Sequence, residues 1–280
     1  MKRIVTVQDI SCVGKCSLTV ALPIISAMGV EAAILPTAVL STHTQFSSFT
    51  FHDLTNEITP IAAHWKQENL DFDALYTGYL GSFEQIHLMQ QFFRDFHTDK
   101  NFTFVDPAMG DNGKLYAGFD QNFAHEMAKL AAMADICVPN LTEACAMLDI
   151  PYQPEGGERY YQDVLRRLCD LGVKRAVLTG VSLAPERLGV MELNQETGKF
   201  YLYDAERVPA AFHGTGDIFS STCVGALARG VSLEQALAIA HDYTAECIRI
   251  TLQDPAKPWY GVNFEEATGF LLQRLNRELA

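Results

Sequence analysis

The segment of this chain best suited to chemistry is His213-Gly214-Thr215-Gly216-Asp217, which runs directly into the apolar pair Ile218-Phe219. Two glycines flank a threonine, a carboxylate follows, and a helix-like stretch takes over. Such a segment gathers backbone N–H groups and a helix N-terminus around an anion, and glycine lets a phosphate approach the main chain closely. The amides and the helix dipole would stabilise charge building up on a transferring phosphoryl group. Asp217, at the edge of the turn, could take the proton from an attacking hydroxyl. The plainer alternative is a glycine-rich helix start with an acid in its first turn, where acids are favoured anyway.

Two further segments carry acids just past β-like runs. Asp106-Pro107-Ala108-Met109-Gly110-Asp111-Asn112-Gly113-Lys114-Leu115-Tyr116 offers a carboxylate that can reach Mg²⁺ or its waters. Its loop could fold over a bound substrate, although Asp, Asn and Gly favour turns in any protein. In Pro139-Asn140-Leu141-Thr142-Glu143, Asn140 is a good N-cap with Glu143 three residues on. That spacing fits a capping arrangement, and the functional alternative has Glu143 organising metal-bound water near a triphosphate.

The elements that must position these residues alternate along the chain. Strands are predicted at Ile4–Val7, Ala32–Leu35, Ala74–Thr77, Phe102–Val105, Asp135–Val138 and Ala176–Leu178, with a hairpin of Leu188–Leu193 and Phe200–Tyr203 about Asn194–Gly198. Helices are predicted at Ser17–Met28, Ile61–Glu68, Glu84–Phe96, Phe123–Ala132, Thr142–Leu148, Tyr160–Leu171, Ile218–Arg229, Leu233–Thr251 and Phe264–Leu275. This alternation implies a mostly parallel sheet covered on both faces, in which ligands gather at the carboxyl ends of strands. The polar punctuation sits there: Gln8-Asp9, Thr77-Gly78, Asp106-Pro107, Pro139-Asn140 and Thr179-Gly180. With no linker, charge block or internal repeat, residues 1–280 read as a single domain.

Composition narrows the function classes. A formal charge of −13 and the absence of a basic run argue against nucleic acid as a partner. An acidic protein can still bind ATP, because a metal and local dipoles decide that site. The seven cysteines, at 12, 16, 137, 145, 169, 223 and 247, read as reduced thiols packed as small hydrophobes. Cys12 and Cys16 could share a helix face but make a weak metal pair. The apolar run after Met1-Lys2-Arg3 is too short for a signal peptide, and no stretch approaches a membrane span, so a cytoplasmic protein without membrane attachment is expected. No Gly-x-Gly-x-x-Gly follows the first strand, which disfavours a dinucleotide oxidoreductase.

Taken in order and spacing, Ser41-Thr42-His43-Thr44-Gln45-Phe46, Thr77-Gly78-Tyr79-Leu80-Gly81-Ser82, the Asp106–Tyr116 loop, Pro139–Glu143 and Gly214–Asp217 resemble the ribokinase-like superfamily. The nearer resemblance is to its vitamin B6 branch, the pyridoxal, pyridoxine and pyridoxamine kinases. It implies a three-layer α/β/α sandwich with a mostly parallel central sheet, a homodimer, and ATP with Mg²⁺. It also implies transfer of phosphate to the 5′-hydroxymethyl group of a B6 vitamer. Asp217 then stands at the catalytic base, and Gly214, Thr215 and Gly216 at the anion hole for the γ-phosphoryl group. Glu143 and Asn140 match the acidic motif associated with Mg²⁺ and phosphate, and Asp106 the acid on the nucleotide–metal side. Thr44 and Gln45 match the loop lining the ring, and Tyr79 the substrate-side turn. Two positions depart from the pattern. Asp9 stands where a serine is expected, with Ser11 two residues on, and Thr179 stands where some relatives place a lysine near the nucleotide phosphates. Asp9 could pair with a protonated ring nitrogen or an amine, or be a strand-end turn residue with Ser11 supplying the contact. Hydroxymethylpyrimidine kinase and a non-catalytic B6-binding paralogue are the alternatives.

Of the eight histidines, His43 is expected to line the pocket and the others, at 52, 64, 87, 97, 125, 213 and 241, to be surface or packing residues, with a minor phosphate role as the alternative for His213 beside the anion turn. Phe46, Phe49 and Phe51 alternate and read first as a half-buried strand, with a hydrophobic ring pocket as the alternative. Glu265-Glu266 reads as a solvated helix start.

Overall fold

Ile4, Val5 and Val7 are fully buried, and around them forms β1 (Arg3–Val13). A computed structural model describes every residue from Met1 to Ala280. After β1 come α1 (Leu18–Ala27), β2 (Glu31–Thr42), β3 (Phe51–Asp53), α2 (Thr55–Gln67) and β4 (Ala74–Thr77). β1 pairs in parallel with β2 and β4, burying its apolar run on both faces as parallel sheets require. β3 adds antiparallel to β2, giving the order β3-β2-β1-β4.

The chain then builds a second compact unit, Tyr79–Arg207. It contains α3 (Phe83–Phe96), β5 (Phe102–Val105), β6 (Gly110–Asp111), β7 (Lys114–Leu115), α4 (Gln121–Ala131), β8 (Ile136–Cys137), α5 (Leu141–Leu148), α6 (Gly157–Asp170), β9 (Arg175–Val181), β10 (Arg187–Asn194) and β11 (Lys199–Glu206). β5, β8 and β9 are parallel, and β10 and β11 continue the sheet as the antiparallel hairpin expected about Asn194–Gly198. From Val208 the chain completes the first unit with α7 (Thr215–Ala228), α8 (Leu233–Gln253) and α9 (Thr268–Leu279). The α/β class with a mostly parallel sheet is therefore the one expected.

Several boundaries differ from expectation for identifiable reasons. β1 runs on to Val13 because β2 continues beside it to Thr42, through an irregularity at which Asp9 alone opposes Thr37 and Ala38. Such a bulge re-aims a side chain. Cys12 consequently lies exposed on a strand and Cys16 buried in the loop after it, so they share no helix face. The Phe46–Phe51 strand does not form: β2 ends first, residues 44 and 45 turn, and only the exposed Phe51–Asp53 pairs. The last helix starts at Thr268, because Phe264–Ala267 is taken up by turns, and Glu265 pairs with Lys15 instead of opening a helix. The β6–β7 hairpin was too short for a periodicity signal, but Asn112 and Gly113 at φ 51° and 77° are the residue pair such a tight turn demands.

One half-buried acid braces the second unit. Asp135 accepts hydrogen bonds from the Thr103 amide (2.8 Å) and hydroxyl (3.1 Å) and from Lys174 Nζ (2.6 Å), with His97 at 3.2 Å. Burial alone would raise its pKa, but the Lys174 and Thr103 bonds outweigh it and leave the carboxyl below its usual range. A depressed acid contributes stability above its unfolded pKa and loses it as pH falls through the folded value. Asp135→Asn is therefore expected to cost roughly 2 kcal/mol near neutrality. The deficit should shrink below about pH 4 in urea melts taken across pH.

Candidate active site

In the first unit the site begins where β1 hands over to α1. Ser17 stands at the N-cap of α1 with φ 51° and ψ −134°, a positive-φ conformation costing a non-glycine residue roughly 1–3 kcal/mol. Its hydroxyl does not cap the helix. It donates instead to Asp9 Oδ1 at 2.6 Å, while Ser11 Oγ donates to Oδ2 at 3.0 Å. Charge-assisted bonds of this kind offset the strain. Burial nevertheless leaves Asp9 above its ordinary range, despite the two serines. The neighbouring Cys16 thiol is pushed far up by burial, then by Asp217 and Asp9, so it stays protonated and is no nucleophile.

The glycine turn forms as expected and opens α7. Gly214 is its N-cap at φ 82°, and a Cβ there would fall onto the carbonyl oxygen of Lys15, so only glycine fits. The first i→i−4 bond is made by Ile218 N–H to Gly214 O at 3.1 Å, so the amides of Thr215, Gly216 and Asp217 precede the helical ladder. Thr215 Oγ1 donates to Phe212 O at 3.2 Å, which orients the turn. A Cβ at Gly216 would meet nothing within 4 Å. Open space above a helix N-terminus is what an anion needs. His213 is half-buried, and that burial followed by the nearby His43 lowers its pKa to about 4, so it is neutral at physiological pH and brings no cation to the turn.

His43 is buried (3% exposed) rather than presented to a ligand, with both ring nitrogens engaged by backbone. Thr44 and Gln45, next to it, are exposed at the tip of the turn. Phe46 lies outside any strand and packs 4.6 Å from Trp259 and 5.7 Å from Tyr260, centroid to centroid. Lys15, Ser17, Trp259 and Tyr260 were not singled out from sequence. A lysine or serine in a post-strand loop is common, and the aromatic pair lies more than 200 residues from its partners.

In the second unit Tyr79 is half-buried and packs 5.6 Å from Phe119, which stacks on Phe123 at 4.0 Å. The capping arrangement at α5 is complete: Asn140 Oδ1 accepts from Glu143 N (3.0 Å) and Glu143 Oε2 from Asn140 N (2.8 Å). The same turn grips the β6–β7 hairpin. Met109 N donates to Glu143 Oε1 at 3.1 Å, Asn140 Nδ2 to Gly110 O at 2.8 Å, and Gly113 N to Thr142 Oγ1 at 2.9 Å. Glu143 is held far above the usual carboxylate range by burial and then by the neighbouring Asp106. Thr179 N–H donates to Pro139 O at 3.0 Å, bringing Thr179 beside Asn140. Asp106, Asn140, Glu143 and Thr179 are thus gathered at the ends of β5, β8 and β9, and Asp9, Ser11, Gly214–Asp217 and the His43 loop belong to the first unit.

Comparison with known proteins adds to this geometry. The family model described as phosphomethylpyrimidine kinase matches residues 21–258. The crystal structure of a provisionally named phosphomethylpyrimidine kinase from Bacteroides thetaiotaomicron, in a form with pyridoxal, is 39% identical with a TM-score of 0.91. The match covers 96% of this chain and 95% of that one. Pyridoxal kinase from Lactobacillus plantarum is 32% identical with a TM-score of 0.89, covering 99% and 98% of the two chains. A pyridoxine/pyridoxal/pyridoxamine kinase of Bordetella avium is 28% identical over 273 residues, covering 91% of this chain and 87% of its own. This chain spans 57% of a provisionally named pyridoxal kinase from Schizosaccharomyces pombe and 62% of the Arabidopsis thaliana pyridoxal kinase. The chain belongs to the phosphomethylpyrimidine kinase family.

Proposed function

We propose that this chain transfers the γ-phosphoryl group of ATP, with Mg²⁺, to the 5′-hydroxymethyl group of a vitamin B6 vitamer: pyridoxal, pyridoxine or pyridoxamine. The observation that carries the reading is the glycine turn, with left-handed Gly214, open space over Gly216 and Asp217 in the first turn of α7. The pyridoxal-containing Bacteroides structure and the pyridoxal kinase relatives support the substrate.

In this reading Asp217 accepts the hydroxyl proton as the oxygen attacks, and the Gly214-Thr215-Gly216 turn, through the Thr215 and Gly216 amides that precede the helical ladder, holds the phosphoryl oxygens. Asp106 and Glu143 fit a divalent cation: they are hard oxygen donors buried together, and a cation would relieve the repulsion that raises Glu143. When bound, Mg²⁺ supplies charge neutralisation between the β- and γ-phosphates. Asn140 and Thr179 lie on the nucleotide side. In the first unit Thr44 and Gln45 contact the ring, and Asp9, with Ser11 and Ser17 fixing its carboxylate, meets a cationic nitrogen of the substrate. Residues 1–280 act as one kinase domain, supported by the 96% span of the Bacteroides match. A cytoplasmic homodimer is part of the proposal. Its supports are the family resemblance, the free cysteines and the fact that no helix is long and apolar enough to cross a membrane.

A second reading, hydroxymethylpyrimidine kinase, is favoured by the family description and by a Helicobacter pylori relative of that name, 31% identical over 170 residues. A coupled ATPase assay with pyridoxal, pyridoxine, pyridoxamine and hydroxymethylpyrimidine, with and without Mg²⁺, separates the two. Mg²⁺-dependent turnover of a B6 vitamer is expected. Turnover of the pyrimidine alone, or vitamer binding without ATP consumption, would refute the proposal.

A further inference from the structure

His43 has no ring nitrogen left for a ligand, yet it sits at the meeting point of three segments. Gln45 N–H donates to Nδ1 at 3.2 Å, so Nδ1 must carry a lone pair. The proton of the neutral ring is then on Nε2, which lies 3.0 Å from the carbonyl oxygen of Tyr260 and donates to it. Each nitrogen thus has a partner that only its own half of this tautomer can satisfy. The faces of the ring are used as well. His213, the residue before the anion turn, packs on His43 at 4.6 Å between centroids, and Phe46 meets its edge at 5.0 Å.

We propose that His43 is a positioning residue that braces the anion turn, tying the 43–46 loop and the 259–261 loop to His213. This inference rests on the phosphoryl-transfer reading of that turn. Amides that stabilise a transferring phosphoryl group work only if they are already aimed, because reorganisation at the moment of reaction removes the benefit. Gly214 is braced on one side by the Lys15 carbonyl. On the other side the turn is entered through His213, whose ring is seated on His43. A loosened His43 would release the 43–46 loop from Nδ1 and let the turn drift, and roughly an ångström of misplacement can cost about a hundredfold in rate.

The test uses the full chain and two variants. His43→Phe keeps a ring for His213 and Phe46 but loses both hydrogen bonds, and His43→Gln keeps a donor for Tyr260 O but loses the ring. Steady-state kinetics with pyridoxal and MgATP should show kcat falling roughly tenfold or more in both, with KM for MgATP changing less than about threefold and KM for pyridoxal rising because the Gln45 amide loses its acceptor. Hydrogen exchange should accelerate at the Ile218 amide, which closes the turn, by roughly tenfold relative to amides in the middle of α8. Unchanged kcat and unchanged exchange at Ile218 in both variants would overturn the proposal. So would acceleration spread evenly over α8 and α9, since that marks general destabilisation. If the wild-type chain turns over no vitamer, the function fails, while the exchange at Ile218 still decides whether His43 braces the turn.

Discussion

Asp217→Asn is expected to lower kcat by roughly two to four orders of magnitude, the range associated with removing a positioned general base. The substitution keeps the shape of the side chain in the first turn of α7 and removes only its ability to accept the hydroxyl proton. Loss of the charge from the helix N-terminus should cost about 0.3–1 kcal/mol, too little to unfold the domain. Thermal melts and MgATP titration should therefore resemble wild type while turnover collapses. Turnover within a fewfold of wild type would exclude Asp217 as the base.

Gly216→Ala separates the anion site from the fold. Nothing lies within 4 Å of a Cβ at that position, and Gly216 has no positive φ. In a helix the substitution should raise stability by up to about 1 kcal/mol. The new methyl group would nonetheless occupy the space above the turn amides where phosphoryl oxygens must come within hydrogen-bond distance. A drop in kcat/KM of roughly tenfold to a hundredfold, with Tm unchanged or higher, is expected. Full activity with an unchanged Tm would mean that the anion does not bind at this turn.

Much of this site could be read from sequence because it rests on local rules. A glycine pair before an apolar run, an Asn three residues before a Glu, and acids after β-rich runs each predict their own geometry, and Gly214, Asn140 and Glu143 adopt it. The strand ends were harder. β1 outran its apolar stretch because pairing with β2, and not the character of Gln8–Val13, decided where it stopped. His43 was expected to face a ligand, since sequence shows a histidine's neighbours in the chain but not those that reach it in space. Tyr260 O, 217 residues away, makes it a structural tie. The aromatic run Phe46–Phe51 misled for a related reason: Phe46 and Phe49 stand three residues apart, and the chain turns at 44 and 45 before Phe51 can pair with Leu40 of β2.

Lys15 is held between two glycines distant in sequence. A Cβ at Gly214 would strike its carbonyl oxygen, and one at Gly261 would crowd its side chain, which reaches on to Glu265 at 2.7 Å. During synthesis the first loop therefore emerges long before the segments that enclose it. The turn at Gly214 can take its final form only once some 200 intervening residues have been made and looped out. Closing so long a loop is slow relative to helix or hairpin formation. Catalytic competence should accordingly be the last property acquired on refolding, lagging behind the recovery of far-ultraviolet circular dichroism.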